Sequence, residues 1–270
     1  MFPLPYSTAR QREAHRDRGT LSAPSIGRTI HRVFVTDGIY VIILLFFLDF
    51  MLVAARPHVT DMWSYDFIWL NLFLAAVPYG ISLCADVFFR SMPQGRRQTR
   101  FRKLLQLPLF ALWLLFLPNA PYVLTDFIHL EHGTSPQILY DILMLGTYTV
   151  TGYALAVMSL AIMRRPVRAR FGRRGSAVFV IACCFLAGIG VHLGRIQRYN
   201  SWDVFSQAKA VSGTILDHLF HLYSHPYALF DGLYYGALLL AGYGAFRVLG
   251  SKEMRATLIK FRKLTGTTQE

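Results

Sequence analysis

The sequence predicts an all-α fold: a polytopic membrane bundle of about six transmembrane helices, with both termini cytoplasmic. Three observations predict it. The chain of 270 residues is 54% hydrophobic and only 16% charged, too apolar for a water-soluble domain of this size. Its apolar residues fall in blocks of about twenty, the length at which a helix crosses a hydrocarbon core of about 30 Å. Its cations alternate between the segments that join those blocks.

The blocks cover roughly 34–55, 67–89, 104–124, 138–162, 176–196 and 227–248. Four segments carry six Lys or Arg each: the N-terminal arm, the stretch from Arg90 to Lys103, the stretch from Arg164 to Arg174, and the segment from Arg247 to Lys263. They hold 24 of the 28 cations; Arg56, Arg195, Arg198 and Lys209 fall on the other side. Cation-rich segments stay in the cytoplasm, so this alternation sets the orientation. A basic arm over 1–32, one bundle over 33–250 and a basic tail over 251–270 follow. The formal charge of +13 does not point to nucleic acid, because it is spread over four membrane-flanking segments. The partner expected is membrane lipid. No cleavable signal peptide is expected, since the first thirty or so residues lack an apolar core.

Taken in order, the first span contains Asp49 behind Leu44-Leu45-Phe46-Phe47-Leu48, where a carboxylate facing lipid is costly. Trp63, Tyr65 and Trp69 read as an aromatic belt at the start of the second span, and Asn71 follows one turn later. Pro78 predicts a kink there, and Asp86 is expected to meet the basic loop. The third span ends Leu117-Pro118-Asn119-Ala120-Pro121-Tyr122, followed by Thr125, Asp126 and His129. Two prolines three apart remove two helix donors within one turn, so the helix is expected to break here. Asn119, between them, carries an amide that can bond the orphaned carbonyls. The fourth span carries Gly146, Thr147, Thr151 and Gly152; the fifth ends with Gly190, His192, Gly194 and Arg195. Gly190 and Gly194, and then Gly232 and Gly236 in the sixth span, give the spacing that lets helix backbones approach closely. The three cysteines, Cys84, Cys183 and Cys184, form no CxxC pair and read as packing residues.

The segment over 197–226 is the longest on the non-cytoplasmic side. It opens with Arg198-Tyr199-Asn200-Ser201-Trp202-Asp203 and later holds Asp217, His218, His221 and His225. With Pro118-Asn119-Ala120-Pro121-Tyr122, Thr125-Asp126, His129-Leu130 and Gly194-Arg195, this pattern resembles a bacterial membrane family catalogued as domain of unknown function 1361. The resemblance covers roughly 40–250. It implies a bacterial multi-pass protein of the cytoplasmic (inner) membrane, and it supplies no reaction.

Seven of the nine histidines and nine of the 15 acids fall on the non-cytoplasmic side, although no insertion rule places histidine there. Asn119, Tyr122, Asp126, His129, Arg195, Arg198, Asn200 and Asp203 are therefore expected to converge on one outward-facing polar pocket. Three readings compete. In one, His129, Asp217, His221 and His225 supply ligands for a divalent metal, as in a hydrolase acting on lipid. In the second, Arg195 and Arg198 grip an anionic lipid or small-molecule group, oriented by Asp126 and Asp203. A small-solute transporter belongs with this reading; the absence of charged residues midway through the last three spans speaks against it. In the third, the polar residues are a hydrogen-bonded cap on the bundle.

Overall fold

The computed structural model describes residues 39–60, 67–91, 96–132 and 135–249. The arm over 1–32, the tail over 251–270, and Trp63 and Tyr65 lie outside the described residues. Among the described residues every regular element is helical: α1 (Ile39–Thr60), α2 (Phe67–Ser91), α3 (Arg96–Phe116), α4 (Asn119–Tyr122), a 3-10 segment (Val123–His132), α5 (Ser135–Ile196), α6 (Asp203–Ser206), α7 (Ala208–Phe220), a 3-10 turn (Leu222–Ser224) and α8 (Pro226–Leu249). Among the described residues, four stretches are long and apolar enough to cross a membrane: Ile39–His58, Phe67–Arg90, Leu104–Leu130 and Gln137–Ile196. Large apolar side chains stand exposed along them, among them Ile43, Leu44, Phe47 and Phe73, which is what lipid contact requires.

The fourth stretch covers 60 residues. As one straight helix it would extend about 90 Å, some three times the hydrocarbon thickness. Gly172 interrupts it, with φ 69° and ψ −163°, a conformation open to glycine and strained for other residues. The two arms of α5, 135–171 and 173–196, then lie side by side. Trp113 of α3 shows this directly: its indole N–H donates to Ser159 on the first arm, and its ring stacks on Phe179 of the second at 6.3 Å.

The first arm is the hub of the bundle. On its α1 side, Asp49 accepts a hydrogen bond from Thr151 (2.6 Å), and Arg56 pairs with Asp141 through two bonds of 2.8 and 3.0 Å. These contacts run in opposite senses along the two helices, so α1 is antiparallel to the arm. On the α2 side, the Ser159 hydroxyl donates to the Pro78 carbonyl (3.1 Å). α2 continues as helix through Pro78. Asp86 near its far end accepts from Arg90 at 2.7 Å and lies 3.5 Å from Arg165, the meeting with the basic loop that was expected. Cys183 and Cys184 are buried, as packing residues should be; Cys84 is exposed.

α8 packs on both arms through glycine. Gly242 faces Tyr153 and Val157 of the first arm, and Gly236 lies against the Cys184 backbone of the second. Gly188 meets Gly232 backbone to backbone: a Cβ on Gly188 would lie 2.5 Å from the Gly232 carbonyl oxygen and 2.9 Å from the Gly236 nitrogen. No flexible side chain is there to yield. Gly188→Ala should therefore cost about 1–3 kcal/mol through overpacking. Gly80→Ala, where a Cβ would meet nothing within 4 Å, should be neutral or slightly stabilising. Thermal unfolding of the two variants in detergent reads the difference.

Candidate functional site

The site is built on the broken end of α3. Pro118 and Pro121 have no N–H to give, and the helix ends at Phe116. Ala120 N–H then bonds Leu117 (3.3 Å) and Tyr122 N–H bonds Pro118 (3.0 Å), so the carbonyls of Leu115 and Phe116 are left over. Side chains satisfy both. Asn119 Nδ2 donates to the Phe116 carbonyl (3.0 Å) and to Ser201 Oγ (2.9 Å), and Ser201 Oγ donates to the Leu115 carbonyl (3.3 Å). The loop after α5 is thereby fastened to α3. The second arm of α5 comes equally close, because Gly190 packs directly on the Pro118 ring.

That loop is shaped by a helix cap. Arg198 holds φ 56°, the left-handed conformation usual for glycine after a helix end. It turns the chain so that Tyr199 N–H reaches the Leu193 carbonyl (3.3 Å). Asp203 Oδ2 then accepts from the Asn200 backbone (2.7 Å) and lies 3.4 Å from its amide.

Between α2, the broken α3, the second arm of α5 and α7 lies a cavity of about 390 Å³. Its walls are mostly apolar: Leu74, Leu114, Leu115, Leu186, Ile189, Leu193, Val211 and Ile215. Asn71, Asn119, Tyr122, Tyr199, Asn200 and Ser201 supply the polar part of the lining. Of the residues singled out in the sequence, Asn119, Tyr122 and Asn200 line the cavity, and the charged ones stand beside it. Asp126 is buried on the 3-10 segment, where Oδ2 accepts from Asn71 Nδ2 and from the Tyr148 hydroxyl, both at 3.1 Å. It touches the cavity through Asn71. Arg195 reaches Tyr235 of α8 (3.4 Å). Arg195, Arg198 and Asp126 all lie within electrostatic reach of the Tyr122 hydroxyl. His129 lies against Phe67, ring centroids 4.7 Å apart.

A second polar group forms where α7 meets the start of α8. Asp217 accepts from His221 Nδ1 (2.9 Å) and His225 Nε2 (2.7 Å). Bonds from His225 and then His221 hold its carboxyl below the usual carboxylate range, so it is ionised. His218 and His225 stack at 4.0 Å, and His192, bonded to Asp231 (2.7 Å), stands 5.9 Å from His218. Asp217 and His225 thus meet. His129 is not among the close ligand group, and His221 serves as a partner of Asp217. The histidine that joins the group is His218, absent from the ligand set drawn from the sequence. It sits next to Asp217, so the i, i+4 spacing used to choose His221 and His225 passes over it. Asn71 and Ser201 were visible only as polar groups in apolar or motif contexts; their partners are separated from them by about a fifth to a third of the chain.

Both proline-bearing and arginine-bearing motifs fall inside a family match. The family described as a protein of unknown function, DUF1361, matches residues 70–240. The chain belongs to that family. Neither the curated proteins nor the solved structures compared with the chain give a match. DUF1361 membership and apolar helices together make this a membrane protein.

In this DUF1361 chain the Asn119–Ser201 pair should be worth more than either bond alone. Asn119→Ala uncovers the Phe116 carbonyl inside an apolar setting and should destabilise by about 1–3 kcal/mol. Ser201→Ala should cost less. A double-mutant cycle on thermal unfolding should return a coupling of at least about 0.5 kcal/mol.

Proposed function

We propose that the protein crosses the bacterial inner membrane six times with both termini cytoplasmic, and that its outward end holds an anionic amphiphile. The orientation rests on the distribution of cations, 24 of 28 on one side. The Gly172 break supports counting α5 as two crossings, and α8 is the sixth. The basic arm and tail flank this bundle as cytoplasmic segments.

The observation that carries the ligand reading is the cavity. Its volume of about 390 Å³ falls within the range of small-molecule sites. Its apolar walls suit a hydrocarbon chain. Its amides and hydroxyls, with Arg195 and Arg198 beside Tyr122, suit a phosphate- or carboxylate-bearing head. A lipid is the amphiphile at hand for a protein embedded in a bilayer. In this reading Asn119, Tyr122 and Asn200 contact the ligand directly, and Asp126, His129 and Asp203 set the polar surroundings.

Two measurements test these statements. Reporter fusions at Gly133 and Ser212 should report the outer side, and fusions at Gly95 and Gly172 the cytoplasm; one inversion among them overturns the topology. For the ligand, native mass spectrometry of detergent-purified protein should show a retained anionic lipid. Leu115→Trp, which fills the cavity, should displace it. Arg198→Gly keeps the left-handed cap and removes the guanidinium, so it should weaken retention about tenfold, the effect of losing roughly 1.4 kcal/mol. Equal lipid retention in wild type and Leu115→Trp would refute the reading.

A further inference from the structure

We infer that Asp217, His218 and His225 form a mononuclear site for a zinc-class divalent cation. One ligand atom from each lies within 4.8 Å of the other two. Two imidazoles and one carboxylate are a donor set that zinc takes at sites with three protein ligands, the fourth position being left to water or substrate.

Two of the three ligands are held by further hydrogen bonds. His218 Nδ1 faces the Thr214 carbonyl at 2.9 Å. A carbonyl only accepts, so Nδ1 carries the proton and Nε2 presents a lone pair. That lone pair points at the Gln197 side-chain amide, 3.1 Å away. An imidazole whose far nitrogen donates to a carbonyl is the common arrangement of a metal-bound histidine. Asp217 is held in the same way: Oδ1 takes the His221 hydrogen bond, which orients the carboxylate and leaves Oδ2 toward His225. His221 is thus a positioning residue. The cation would replace the proton now shared between His225 Nε2 and Asp217 Oδ2, 2.7 Å apart.

The distances permit this. Ligand atoms on a tetrahedral zinc with bonds of about 2.0–2.1 Å lie about 3.3 Å from one another. The present separations lie on both sides of that value, 2.7 Å for the bonded pair and at most 4.8 Å across the trio. Closing the set requires His218 and His225, stacked at 4.0 Å with planes 15° apart, to rotate out of that stack. The site is half sheltered, with His218 buried, His225 partly so and Asp217 exposed, which leaves an entry path. Beyond it, Asp231 accepts from His192, whose ring stands 5.9 Å from that of His218. Arg195 is directed to Tyr235 of α8.

The site does not depend on the amphiphile reading, and its test uses metal alone. Full-length protein in detergent is stripped with a chelator, re-equilibrated with Zn2+ and analysed for bound metal. Wild type should take up about one zinc per chain, the stoichiometry of a three-ligand site. His218→Ala and His225→Ala should fall to background. His221→Ala should keep the stoichiometry while losing about 10–100-fold in affinity, as for loss of an orienting partner. His129→Ala should match wild type. Co2+ in place of zinc should give visible absorption of a tetrahedral centre in wild type and none in His218→Ala. Size-exclusion elution and circular dichroism report whether each variant is folded; His218→Gln and His225→Gln replace an alanine variant at either position that is not. No stoichiometric zinc in wild type, or full retention in the folded His218 and His225 variants, would overturn the site.

Discussion

The structure depends on two carbonyl groups. A membrane interior offers no water to a backbone group left without its helix donor. Pro118 and Pro121 break α3, and in the turn that follows Ala120 N–H goes to Leu117, so the carbonyls of Leu115 and Phe116 lack helix donors. The amide of Asn119 and the hydroxyl of Ser201 answer them. Because Ser201 is far along the chain, this repair also decides where the loop after α5 must lie. The close seat of Gly190 on Pro118 follows, and the cavity is the space left between the pieces so joined.

The buried carboxylates of the bundle obey the same constraint through at least one oxygen each, while Asp49 Oδ1, Thr149 Oγ1 and the Tyr153 hydroxyl have no partner among the described residues. Asp49, Asp126 and Asp141 are all buried, and each is met by a side chain from a different segment: Thr151, then Asn71 with Tyr148, then Arg56. Each of the three carboxylates has one tie that involves the first arm of α5, through Thr151, Tyr148 or Asp141 itself. A buried ion pair such as Arg56–Asp141 adds little net stability, since desolvation offsets most of its attraction. Its effect is on register, because sliding α1 by one residue would strand both charges. The apolar faces of the helices tolerate many registers; these pairs tolerate few.

The two proposed sites share one helix. α7 puts Val211 and Ile215 into the cavity wall, and one turn later it carries Asp217 and His218 into the imidazole–carboxylate group. A ligand ordering the cavity and a cation ordering the start of α8 would act on the same short element. The cap at Arg198 and the Asp203 bonds to Asn200 fix the loop that leads into it.

What the sequence determined by itself was local. Apolar block length marked the helices, since crossing a bilayer demands about twenty residues whatever the neighbours are. The prolines marked the break in α3, because a missing N–H is a property of the residue, and Asn119 could be named as the repair from its position between them. What the tertiary structure decided was pairing. Ser201 as the second repair, Asn71 and Tyr148 on Asp126, and Arg56 on Asp141 join residues 22 to 86 positions apart, and nothing in local spacing distinguishes them from other combinations. The same reason explains the charged residues. Depth alone placed Asp126, His129, Arg195, Arg198 and Asp203 at one end of the bundle, but depth does not say which way a side chain turns. His218 entered the ligand group because α7 ends at Phe220 and the chain folds back through Leu222–Ser224, bringing His225 over its ring. That return brings together the His218–His225 stack and the Asp217–His225 bond, a pairing that residue spacing does not encode.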